Sequence, residues 1–191
     1  INNVNGVLPP DTEGAVGPNH YVQVVNSSFA VFDKSGTLLQ GPFNTNTLWT
    51  GTGDACENDN SGDAIFLYDQ FADRWVLTQF AVTTGNDVCF AVSTSGDPTG
   101  TFYLYRMPSV RFPDYYKLGV WPDPTHNAYL MGTNTGFAGQ YDVYAVDRAN
   151  LLAGTAPRSA LYFVDFPNLL MPADVDGPIA PPAGSPGVFY T

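Results

Sequence analysis

The sequence predicts an all-β fold, a β-propeller of four-stranded antiparallel blades, of which this chain holds roughly three and the start of a fourth. Three observations predict it. Residues 62–106 read as four strands in series, 64–68, 74–80, 88–92 and 102–106, joined by polar turns at 69–73, 83–87 and 93–100. A unit of about 45 residues of this kind, followed by another like it, has the period of a propeller blade. Aromatics make up 14% of the chain, with 13 Phe and 11 Tyr; such side chains suit pleated, half-buried surfaces. The 19 Gly and 16 Pro supply tight turns.

Taken in order, residues 1–5 read as a mature or trimmed end, and 5–18 as a loop rich in Pro and Gly. Strands follow at 21–25, 29–32 and 37–39, with the turn Asp33-Lys34-Ser35-Gly36 between the last two; these form a first unit over 19–45. In the second of these strands the apolar residues run together, as in strands buried on both faces. Residues 43–60 are a polar insertion carrying Trp49 and Cys56. After the second unit, a third spans 117–166, with strands at 117–121, 128–131, 141–146 and 160–164. One helical turn at 147–154 ends in Gly154, a usual helix stop. The segment 8–14 resembles 170–177: each joins proline to an Asp-x-acidic-Gly loop ahead of a strand, the second at 187–191. An incomplete unit therefore begins near 174. Three blades and a strand do not close a ring, since propellers have four to eight blades. The expected partners for the open end are the remaining blades of the same protein or copies of the chain itself. The alternative is a self-contained β-sandwich.

Seven Lys and Arg against 18 Asp and Glu give a net charge of −11. Such a chain repels phosphate backbones, which argues against nucleic-acid binding. It attracts cations such as Ca²⁺ or basic partners. No apolar run reaches the ~18 residues that span a bilayer. Cys56 and Cys89 lie 33 residues apart and lack zinc-ligand spacing. They read as a disulfide, with two buried thiols as the alternative, and the acidic composition favours export.

Residues 9–26, 62–75 and 91–100 resemble a family of secreted bacterial propeller-like proteins of largely unknown function. The resemblance covers about residues 8–180. It implies an extracellular propeller that runs beyond this chain, and it carries no catalytic assignment.

Asp54, Glu57, Asp59 and Asp63 cluster with Asn58 and Asn60 and form a candidate Ca²⁺ site. The spacing is not that of an EF-hand. Asp11 and Glu13, with Asp174 and Asp176, are a second candidate; the competing reading is that each Asp bonds its own turn backbone. Trp49 is the candidate for sugar stacking, while Trp75 and Trp121 fall in strands and read as core. Arg74 is expected to pair with Asp69 or Asp73. Tyr115, Tyr116, Lys117 and His126 could bind a sugar or serve a polysaccharide lyase as neutraliser and base. A glycoside hydrolase would need paired carboxylates, and many pairs are available. No Gly-x-Ser-x-Gly is present, and residues 132–136 lack the Lys and helix of a phosphate loop. Three functions remain in view: a non-catalytic cell-surface module for glycan or protein, a structural subunit that assembles into a ring or filament, and a carbohydrate-active enzyme.

Overall fold

Three four-stranded antiparallel meanders and one short hairpin make up the fold. The computed structural model describes all residues, Ile1–Thr191, in two compact units, Ile1–Val110 and Arg111–Thr191. In unit 1, β1 (Thr12–Val16), β2 (His20–Val25), β3 (Ser28–Asp33) and β4 (Leu38–Asn44) form sheet 1. There β5 (Gly62–Asp69), β6 (Arg74–Ala81), β7 (Asp87–Ser93) and β8 (Phe102–Pro108) form sheet 2. Unit 2 carries sheet 3, made of β9 (Asp114–Trp121), β10 (Ala128–Asn134), β11 (Tyr141–Asp147) and β12 (Leu161–Phe166). Its hairpin is β13 (Met171–Pro172) with β14 (Phe189–Tyr190).

The core of unit 1 follows from the two-residue strand period. Val22 and Val24 of β2 and Phe29 and Val31 of β3 meet Ala64 and Phe66 of β5 and Trp75 and Leu77 of β6. The Phe66 ring centroid lies 5.7 Å from Phe29 and 5.8 Å from Trp75. Each such side chain contributes roughly 1.5–3 kcal/mol on burial. β6 and β7 are buried on both faces, which accounts for their unbroken apolar runs.

Three sequence expectations fail in unit 1. The loop expected over residues 5–18 contains β1, which pairs with β2 from Thr12↔Val25 to Val16↔Tyr21 and packs on β5. Its composition, Thr-Glu-Gly-Ala-Val, has little strand preference of its own, so pairing and packing form the strand. Trp49, expected as an exposed stacking platform, is fully buried instead. The 3-10 turn Thr45–Trp49 is drawn inward by a polar network. Thr45 Oγ1 donates to buried Gln79, whose amide donates to the carbonyls of Cys56 (3.2 Å) and Asp59 (2.9 Å). Asn60 donates to Ser27 O at 3.0 Å.

The short helix α1 (Ala55–Asn58) starts at Asp54, whose carboxylate accepts from the backbone N–H groups of Cys56 and Glu57. It carries Cys56 to Cys89 on β7, and the expected disulfide is formed. Both cysteines are fully buried. Arg74, expected on a neighbouring carboxylate, donates to the carbonyls of Ala72 and Asp73 across its turn.

Sheet 3 runs β12-β11-β10-β9, and β13 lies on β9 and β10. Gly132 and Gly119 make that approach possible. A Cβ on Gly132 would fall 1.8 Å from Leu170 O, and one on Gly119 would fall 2.5 Å from Ala173 O. Asp174 Oδ1 then accepts from Val120 N at 2.7 Å. Arg111 ties the edge strand β12 to its neighbour β11. It grips Asp142 of β11 through Nε (3.1 Å) and Nη2, and Asp165 of β12 through Nη1 (2.8 Å). β12 is the outer edge, with Leu161 and Phe163 exposed.

Candidate functional site

The polar groups that converge on a concave surface do so in unit 2. A cleft of about 290 Å³ is lined by Thr125, His126 and Asn127 from the β9–β10 turn, Ala145 and Asp147 from the end of β11, Arg158 and Ser159, and Leu161 of β12. Its volume is near the small end of ligand pockets, roughly 300–1,000 Å³.

Two buried aspartates build this cleft. Asp123 accepts from the backbone N–H groups of Thr125 (3.1 Å), His126 (2.5 Å) and Gly184 (2.9 Å), which folds the turn back on itself. The same carboxylate lies 3.0 Å from His126 Nδ1. That contact orients the ring and leaves Nε2 for a ligand. Asp147 caps helix α2 (Arg148–Ala153) by accepting from Asn150 N. The helix ends at Gly154 in the left-handed conformation, φ +70°, as a C′ glycine does. The chain then turns back, and Arg158 donates to Asp147 Oδ2 through Nε (2.7 Å) and backbone N (3.2 Å). Behind the wall, Arg148 donates to Asn127 Oδ1 at 2.8 Å, which fixes that amide.

The electrostatics follow. The Arg158 hydrogen bond holds the Asp147 carboxyl below its ordinary value of 3.8 against the opposing effect of burial. Burial pushes Asp123 up, and the N–H groups of His126, Gly184 and Thr125 outweigh it, so its pKa also lies below 3.8. A carboxyl whose folded pKa is depressed stabilises the fold above the unfolded value of ~4 and loses that effect as pH falls through the folded value. Melting temperature should therefore hold from pH 7 to about 5 and fall as the pH drops below about 4. Asp147→Asn should lower the melting temperature at pH 7 and shrink the acid fall. An equal fall in that variant would remove Asp147 from the account.

The sequence candidates are distributed differently. Tyr115 is exposed with Lys117 3.6 Å from its ring centroid, whereas Tyr116 is buried. His126 follows the opposite end of β9, some six residues or ~20 Å away, so the four do not form one site. In unit 1, Glu57 accepts from Gly51 N (2.9 Å) and Gly53 N (2.7 Å). Asp59 accepts from Val82 N and Thr83 N, both at 2.7 Å. With Asp54 capping α1, Asp54 and Glu57 serve their own turn, while Asp59 holds the chain just after β6. Asp63 joins Asp11 instead: both accept from the buried amide of Asn26, at 3.3 and 2.9 Å. Asp176 is exposed, and Glu13 lies on β1. No group of three or more His, Cys, Asp or Glu side chains is placed to hold a metal ion.

A more open depression of about 440 Å³ lies on sheet 1, lined by Val16, Tyr21, Gln23, Phe32, Asp33, Lys34 and Gly36. It carries fewer polar groups. Sequence reasoning singled out His126 and missed Asp123, Asp147 and Arg158. The Pro-Asp-Pro-Thr-His run was a visible turn signal for Asp123. Nothing local marked Arg158, which reaches Asp147 only because α2 and Gly154 reverse the chain. Comparison with protein-family models, curated proteins and solved structures gives no match.

Proposed function

We propose that this chain is an extracellular, non-catalytic, propeller-like module that binds glycan through the cleft of unit 2. The observation that carries the reading is the cleft itself, where hydrogen-bonding side chains, Thr125, His126, Asn127, Arg158 and Ser159, stand beside the apolar strip of Ala128, Ala145 and Leu161. A sugar ring offers that combination, polar at its rim and apolar on its face. The propeller reading is supported by three meanders of four strands and by β13, which lies on β9 and β10 as β5 lies on β1 and β2. On that reading the depression on sheet 1 is a face for a neighbouring sheet. The buried disulfide supports an oxidising compartment. The separation of Tyr115 and Lys117 from His126 favours binding over catalysis.

Ser159 is exposed, so Ser159→Trp should fill the cleft and leave the fold intact. On an array of microbial and plant glycans the wild-type protein should retain at least one class. The variant should lose it by about tenfold or more with an unchanged melting temperature. Retention of no glycan, or equal retention by the variant, would sink the reading.

A further inference from the structure

Resting on the glycan reading above, we infer that the ligand of this cleft carries a carboxylate, and that its chemical class is an acidic sugar residue, a uronate. The carboxylates of the cleft, and the Asn127 amide oxygen, already receive hydrogen bonds. Asp147, its side chain only 4% exposed, receives Asn150 N, Asn150 Nδ2, Arg158 N and Arg158 Nε. Asp123 receives three backbone N–H groups and faces His126 Nδ1. Asn127 Oδ1 receives Arg148. What remains for a ligand is Asn127 Nδ2, the Arg158 Nη1 and Nη2 pair, His126 Nε2, and the hydroxyls of Thr125 and Ser159, which donate or accept; the one fixed charge among them is that of Arg158.

A neutral sugar can be matched by the hydroxyls and by His126 Nε2, but it has no group that uses the charge of Arg158. A carboxylate only accepts. Arg158 supplies the matching geometry. Its side chain is 80% exposed, Asp147 engages only its Nε and backbone N–H, and the planar Nη1/Nη2 edge is the part of a guanidinium that takes a carboxylate bidentately. The net charge of −11 opposes an anion from afar. Screening over about 8 Å at physiological ionic strength removes most of that opposition and leaves the contact with Arg158 in control.

The test is titration calorimetry with oligomers of galacturonate, guluronate and glucuronate, each beside its methyl ester, which keeps the ring and removes the charge. At least one acid oligomer should bind about tenfold or more tightly than its ester. Arg158→Lys keeps a cation beside Asp147 and loses the fork; it should weaken the acid by about tenfold and the ester by about threefold or less, so that most of the preference is lost while the protein stays folded by circular dichroism. Equal binding of acid and ester, or binding of neutral glycans alone, overturns the carboxylate and leaves the glycan reading standing. Binding of polyglutamate as tight as of the best uronate, with the same Arg158 dependence, overturns the sugar as carrier. Failure of every charged and neutral oligosaccharide overturns both.

Discussion

Arg111→Leu should destabilise residues 111–191 by about 3 kcal/mol, at the low end of the effect of breaking a buried ion pair. The low end applies because the Arg111 side chain is 26% exposed while that of Asp142 is 1% exposed. Without Arg111, Asp142 stays buried on β11 and loses both prongs of its fork. Asp165 loses its anchor as well, so the outer strand β12 should loosen first. Hydrogen bonds to Asp142 and Asp165 raise the Arg111 pKa above its already high ordinary value, so neutralising the arginine offers no escape. Urea unfolding followed by circular dichroism measures the loss. Arg111→Leu/Asp142→Leu should recover most of it, because an apolar pair of similar size replaces buried ions at little cost. A single variant within about 0.5 kcal/mol of wild type would mean that the clamp behaves as a surface pair.

Cys56→Ala/Cys89→Ala should cost about 3–4 kcal/mol, the chain-entropy value for a loop of this length. The bond closes a separation of 33 residues that includes β5, β6 and the last residues of the polar insertion. It also pins α1, and with α1 the Trp49 turn, to the core of unit 1. Both cysteines are fully buried, so dithiothreitol with an alkylating agent should label neither of them in the native protein. Labelling should appear only near the unfolding transition. Labelling of the native protein at the rate of a small-molecule disulfide would overturn the placement. A loss under about 1 kcal/mol in the alanine pair would show that the reduced chain already holds the insertion in place.

How much was legible differs from element to element. The strands of sheet 2 were readable because their apolar runs are bounded by turn residues that act locally, such as Asp-Pro-Thr-Gly before β8. Helix α2 was readable for the same reason, its stop being encoded in Gly154. β1 was not, because its residues have little strand preference and its partner β2 supplies the order. Trp49 was misplaced because a tryptophan in a polar stretch carries no local sign of burial; Gln79, 30 positions away in the sequence, draws its turn inward.

The acidic residues show the same division. Composition alone determined the charge of the chain, its strand-rich character and the pair of cysteines free to join. It could not say which carboxylates would meet. Asp11 and Asp63, assigned to different clusters by their position in the chain, share the amide of Asn26, while Asp54 and Glu57 are taken by nearby N–H groups and Asp59 by those of Val82 and Thr83. The cleft of unit 2 is likewise a product of tertiary structure. Local chemistry made each of its turns, at Asp123 and at Asp147. The return of Arg158 to Asp147, and the side chains left facing the cleft, depend on chain reversal and strand register. Propensity and turn signals act over a few residues, and the sequence determines them. Which polar groups are consumed and which remain for a ligand is decided by contacts between distant residues, and these exist only once the sheets have formed.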